Sequence, residues 1–194
     1  MTRIAIVQGH PTSGGGHFCH ALADAYAEGA FAGGHQVRLI TVADRDFPLL
    51  HSKADWDGAP PPSAIVEAQR TIEWAEHLLI IYPLWLGGMP ALLKGFLKQV
   101  LRPAFMTGGA EAGGNWKTAL RGRSSRIVIT MGMPAFVFRW YFGAHSLKSL
   151  KRSILSLVGI GPNRHTLIGR IEGMGDAGRE AWLVAMRKLG ARAR

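Results

Sequence analysis

Residues 78–102, LLIIYPLWLGGMPALLKGFLKQVLR, constrain the chain more than any other stretch. Residues 78–82 are a continuous apolar run, which suits a strand buried on both faces, as in a parallel sheet. Pro83 ends the run. Residues 84–89 form a bend rich in glycine and aromatic surface, and Pro90 suits the first turn of a helix, where no N–H is needed. Leu92, Leu93, Phe96, Leu97, Val100 and Leu101 then keep one stripe at 3.6-residue spacing, with Lys94 and Lys98 off it. The order strand, loop, helix sets the loop at the carboxyl end of a buried strand. Open α/β sheets bind ligands at such ends.

The rest of the chain repeats this alternation. Residues 3–8 read as a strand, and a glycine-rich stretch at 9–16 leads into a helix over 17–31 that Gly33 and Gly34 end. Residues 36–42 read as a second strand. Residues 47–62, with Asp55, Trp56, Asp57 and a proline run, read as a long loop of the kind that often carries function. A helix is expected over 63–76 with Ser63 as its N-cap, then the strand at 78–82. Residues 103–115 read as irregular and 126–131 as a fourth strand. Residues 134–141 are unusually aromatic. A helix over 147–158, a short strand over 164–168 and a closing helix over 176–189 complete the order. Arg187 and Lys188 suit the negative end of that last helix. Five β–α alternations imply an α/β fold with a doubly wound parallel sheet, and 194 residues suit a single domain over 1–194.

The single cysteine excludes a disulfide framework or a cysteine-built zinc site. No apolar run approaches the roughly 20 residues of a spanning helix, and the first strand begins without a signal-peptide layout. The expected location is therefore cytoplasmic. The net charge of +10 admits nucleic acid, anionic lipid or acidic ligands. The basic residues are spread over the second half without the tract of a nucleic-acid surface, so a solvated surface is expected, with a phosphate-bearing ligand as the further option. Peripheral membrane contact is open but not favoured.

Three loops leave carboxyl ends of expected strands, so one edge of a parallel sheet gathers them. The first, at 9–16, is either a phosphate cradle or a plain connection. Its backbone N–H groups, with the Thr12 and Ser13 hydroxyls, suit an anion at a helix N-terminus. It is no Walker A loop, and it lacks the third glycine of GxGxxG, since Cys19 stands there. The second holds Trp85, which is either core or cover for a flat ring. The third follows Thr130. Together they can converge on a planar, phosphate-bearing ligand.

These residues resemble a family. YPLWLGGMPALLKGFLKQVL resembles the signature of flavodoxin-like NAD(P)H:quinone oxidoreductases of the DT-diaphorase type, including small bacterial members. GHPTSGGGHFCHAL, RSSRIVITMG and the closing strand and helix extend the likeness over most of the chain. The resemblance implies a five-stranded parallel sheet in the order 2-1-3-4-5 with helices on both faces, in a homodimer. It implies bound FAD or FMN, with chain length tilting the choice to FAD, and hydride transfer from NAD(P)H through the flavin to a quinone or similar flat acceptor by a ping-pong route. By position, His10 matches the histidine that ends strand one. Thr12 lies in the adjoining loop, and His17, Phe18 and Cys19 stand where the family has Ser-Phe-Asn beside the flavin phosphate. Pro83, Leu84, Trp85 and Leu86 match the loop lining the ring. Thr130, Met131, Gly132 and Met133 replace the family's Thr-Thr-Gly-Gly turn.

That replacement removes a hydroxyl at Met131 and adds bulk at Met133, while Pro134 has no N–H to donate. The family's proton-handling tyrosine aligns with Phe138. Tyr141 and His145 are the nearby candidates for its catalytic role, His145 because imidazole titrates near neutrality; a surface histidine is the alternative. Arg139, Lys148, Lys151 or Arg152 can meet a 2′-phosphate, and the aromatics of 136–142 can form a dimer interface or a pocket wall. No metal cluster is read. Two other functions stay open: a flavodoxin-type electron carrier, against which the basic charge argues, and a regulatory flavoprotein subunit with little turnover.

Overall fold

Burial on two faces organises the molecule. All seven residues of β3, His77–Pro83, are buried, and β3 sits at the middle of a five-stranded sheet. The computed structural model describes residues 1–58, 60–107 and 120–194. Its sheet runs β2 (Gln36–Thr41), β1 (Arg3–Gln8), β3, β4 (Ser124–Thr130), β5 (Asn163–Ile168). Every pairing is parallel. Successive strand residues point to opposite faces. Ala5, Val7, Leu78, Ile80, Tyr82, Ile127 and Ile129 pack on one side, and Ile4, Ile6, Leu79, Ile81 and Val128 on the other.

Helices cover both sides. α1 (Phe18–Ala32) and, after the remaining elements, α7 (Asp176–Gly190) cover the second face. On the first face lie α3 (Ser63–Trp74), α4 (Ala91–Val100) and α6 (His145–Lys148), which a π-helical segment, Ser149–Leu155, continues. Leu93, Phe96, Leu97 and Val100 of α4 are buried and Lys94 and Lys98 exposed, as the stripe in the sequence requires.

Five local expectations are corrected. Ser63 is not an N-cap: Pro62 holds that position with no capping side chain, and Ser63 is the first helical residue. Pro90 likewise stands just outside α4 rather than in its first turn. The 47–62 loop contains a short helix, α2 (Lys53–Asp57), held by a capping box between Ser52 and Asp55. The helix expected over 147–158 starts two residues earlier and widens into the π-helical segment. There Ser156 N–H donates to Lys151 O and Ile160 N–H to Leu155 O, each at 2.9 Å. Of the stretch read as irregular, Pro103–Met106 forms α5; positions 108–115 lie outside the described residues. A further π-helical turn, Val137–Tyr141, follows β4.

α1 and α7 meet backbone to backbone. A Cβ on Gly29 would stand 2.0 Å from Arg187 O, and one on Gly190 2.0 Å from Tyr26 O. Arg187 also pairs with Glu28 and Glu180, at 2.9 and 3.0 Å. Those pairs are exposed and contribute little; the close approach is what the two glycines permit. Gly29→Ala and Gly190→Ala should therefore each destabilise the fold by about 1–3 kcal/mol, although alanine is intrinsically the better helix former. Urea unfolding with an unchanged m-value checks this.

His77 supplies a pH-dependent term. Its side chain is 1% exposed, Nδ1 lies 2.7 Å from Ser124 Oγ, and Nε2 is buried without a partner. Burial first, then the charges of Arg126, Arg164 and His35, push its pKa from 6.5 down to about 4. The unfolded chain thus takes the proton first as the pH falls. The stability this histidine contributes is present above pH 6.5 and lost between 6.5 and about 4, with a slope of up to about 1.4 kcal/mol per pH unit. His77→Gln should flatten urea midpoints over that interval.

Candidate functional site

β1, β3 and β4 are neighbours, so the loops after them share one edge of the sheet. Hydrogen bonds carry the pairing past the strand ends. Gly9 N–H donates to Ile81 O at 2.8 Å, Leu84 N–H to Thr130 O at 2.7 Å, and Met131 N–H to Ile168 O at 2.9 Å. Between β1 and β3 the winding reverses, which opens a crevice at the carboxyl ends.

The turn after β1 is held by the last strand residue. Gln8 Nε2 donates to Cys19 O, and Gln8 Oε1 accepts from His10 N–H, both at 2.9 Å. His10 Nδ1 in turn accepts from Thr12 N–H at 3.1 Å. Burial, and then the neighbouring His17 and His20, lower the His10 pKa from the ordinary imidazole value. Gly14, Gly15 and Gly16 all have φ near +80°, and nothing lies within 4 Å of where a Cβ would stand. His17 precedes α1 without a side-chain cap. The Phe18 and Cys19 amides and those of Gly14, Gly15 and Gly16 are thus free to meet an anion. Three imidazoles gather beside them: His10 stacks on His17 at 4.0 Å between centroids, and His20 is 5.1 and 5.7 Å from the two. Both ring nitrogens of His20 are buried without a partner, which is unfavourable unless a ligand or water satisfies them.

The turn after β3 is tight. Trp85 and Gly88 exchange two hydrogen bonds of 2.9 Å, with φ of +44° at Leu86 and +74° at Gly87. This is the type I′ pattern, and a leucine in the left-handed region marks local strain. Trp85 is 52% exposed, so it is not a core aromatic. Its ring meets that of His10 edge-on, 6.3 Å between centroids. The glycine turn and the tryptophan turn are therefore adjacent.

The β4 end contributes differently. Thr130 is buried, and its hydroxyl lies 3.1 Å from Cys19 Sγ; burial pushes that thiol up to about 11. Cys19 and Thr130 thus satisfy one another beneath the rim. Met131 packs into the core and Met133 partly against it; the Met131 N–H donates to Ile168 O, and the Met131 and Met133 carbonyls accept from the Ile171 and Arg170 N–H groups. Gly132 is exposed, and the atoms nearest to a Cβ there all belong to the Glu172 carboxylate, Oε1 at 2.9 Å. Phe18 is half-buried under the Arg179 guanidinium, 5.5 Å from its ring centroid. Pro83 is buried and Leu84 half-buried, while Thr12 is exposed.

His10, His17, Trp85 and Gly132 thus share the rim. Tyr141 and His145 are not among these contacts: Tyr141 meets the Phe142 ring at 5.0 Å, and the His145 ring stands close to Gly143. Sequence reasoning missed Gln8, His20, Glu172 and Arg179. Gln8 reads as one more strand residue, and His20 as one more helix residue. Glu172 lies after β5, a strand end left out of the expected rim. Among the described residues no group of three or more His, Cys, Asp or Glu can hold a metal ion, and no helix is long and apolar enough to cross a membrane.

Three known proteins are similar to this chain. The NAD(P)H:quinone oxidoreductase of Methanothermobacter marburgensis superposes with a TM-score of 0.80 at 22% identity, over 98% of this chain and 96% of that one. An FMN-dependent NADH-azoreductase of Bacillus anthracis, solved with FMN, gives 0.73 at 16% identity over 99% of both chains. At such identities the likeness is one of fold. A ribosyldihydronicotinamide dehydrogenase-like protein of Penicillium crustosum is 28% identical over 74 residues, which is 35% of this chain and only 28% of that protein's length. The family model described as the flavodoxin-like fold matches residues 2–190, and the chain belongs to that family.

Proposed function

We propose that this chain is a flavin-dependent oxidoreductase that takes a hydride from NAD(P)H and passes it to a quinone or similar flat acceptor by a ping-pong route. The observation that carries this reading is the meeting of the two turns, His10 against Trp85, beside an open glycine cradle. The activities named for the three similar proteins agree with it. FMN is the flavin named for the Bacillus anthracis protein; nothing supports the preference for FAD that chain length suggested, and FMN is the flavin to test first.

The residues fit such a group. The unpartnered His20 nitrogens, with His10, His17 and the amides of the glycine turn, would hold a phosphate. Trp85 and the backbone of Pro83, Leu84 and Leu86 would line the ring, and the Gly132 N–H would face its polar edge. When bound, the flavin supplies the two-electron chemistry, and the protein supplies position and charge. Trp85 shields the rim from water on one side. The Glu172 carboxylate stands beside Gly132, and Tyr141 and His145 remain the candidates for handling a proton. The exposed Leu86 and Tyr141 suit cover by a second copy in a homodimer.

A flavoprotein subunit of slow turnover is the second reading. Phe138, buried where the family keeps a proton-handling tyrosine, favours it. The purified protein, reconstituted with FMN, should be yellow, bleach with NAD(P)H and regain colour with quinone. Failure to bind either flavin would sink both readings; tight binding with negligible turnover would select the second. Trp85→Ala should weaken FMN retention about tenfold in a fluorescence titration, and unchanged affinity would remove Trp85 from the site.

A further inference from the structure

Residues 112–171 contain ten Lys and Arg and no Asp or Glu. The fold gathers four of those cations around one space. Arg139 of the π-helical turn, Lys148 of α6, and Lys151 and Arg152 of its continuation line a cavity of about 330 Å³ against β5. Trp140, His165 and Leu167 are among its other walls. No ion pair neutralises the four cations among the described residues. Burial first, then Lys151, Arg139 and Arg126, depress the proton affinity of His165, as expected where positive potential is concentrated.

The cavity has a small-molecule scale, and its concave cationic wall focuses the field on an anion. Guanidinium forks suit phosphate oxygens. Trp140, 75% exposed, offers a flat face to a ring. The position matters as well. Leu167, on the cavity wall, precedes Ile168, whose carbonyl takes the Met131 N–H at the rim. His165 lies three strand residues from that end, roughly 10 Å lower. The cavity is thus beside the rim and separate from the glycine cradle.

We propose that this cavity binds the phosphorylated adenosine end of the pyridine dinucleotide, with the cations on the 2′-phosphate and the adenine against Trp140, so that the chain selects NADPH over NADH. The choice of dinucleotide rests on the oxidoreductase reading; the anion site does not.

Calorimetry on the full chain, with and without FMN, tests it with adenosine 2′,5′-bisphosphate, adenosine 5′-monophosphate and inorganic phosphate as probes. The bisphosphate should bind at least about tenfold tighter than the monophosphate, and Lys151→Gln with Arg152→Gln should abolish the difference. Both substitutions lie on an exposed or half-exposed helical surface, and circular dichroism checks folding; Lys148→Gln alone should give a partial loss. In turnover the double variant should raise the KM for NADPH, keep kcat, and leave NADH unchanged. Equal binding of the two nucleotides, no discrimination from inorganic phosphate, or indifference to the substitutions would overturn the proposal. Selective bisphosphate binding without NADPH-driven turnover would keep the site and sink the oxidoreductase reading. Turnover equal with NADH and NADPH would do the reverse.

Discussion

Burial of β1, β3 and β4 on both faces is the constraint on which the rest depends. A strand that hides both faces must be covered twice, and parallel strands supply that cover because each crossover carries a helix. The same geometry sends every strand-to-helix loop to one edge. The glycine turn, the tryptophan turn and the Gly132 turn therefore meet because of how the core is covered.

The rim is polar and poorly satisfied. Cys19 and Thr130 pair below the surface, while the His20 nitrogens, the uncapped start of α1 and the open glycines have no side-chain partner. Leu86 adds strain in the same place. Unpaired polar atoms and backbone strain persist at functional sites because surrounding packing holds them. Here that packing is the α1–α7 contact through Gly29 and Gly190 on one face and α4 on the other.

Charge follows the fold more than the order of residues. Cations that look dispersed in the second half of the chain converge on β5 and α6, because the π-helical turn and the widened segment bring 139, 148, 151 and 152 around one space. β5 is an edge strand with exposed Arg164 and His165. Among the described residues no further strand pairs with it, and the basic surface occupies that side.

By itself the sequence determined the alternation of strands and helices, the doubly wound parallel sheet and the loops able to meet a ligand. Uninterrupted apolar runs and 3.6-residue stripes are local signals of burial, and they are written into neighbouring residues. Leu93, Phe96 and Val100 were legible for that reason, as were the turns holding His10 and Trp85. Tertiary structure alone decided that Trp85 is exposed, that Cys19 faces Thr130, that Met131 turns into the core, and that Glu172 closes on Gly132. Each of these depends on where a distant segment lies. Period and composition report which face of an element is buried, but carry no record of what will stand opposite it.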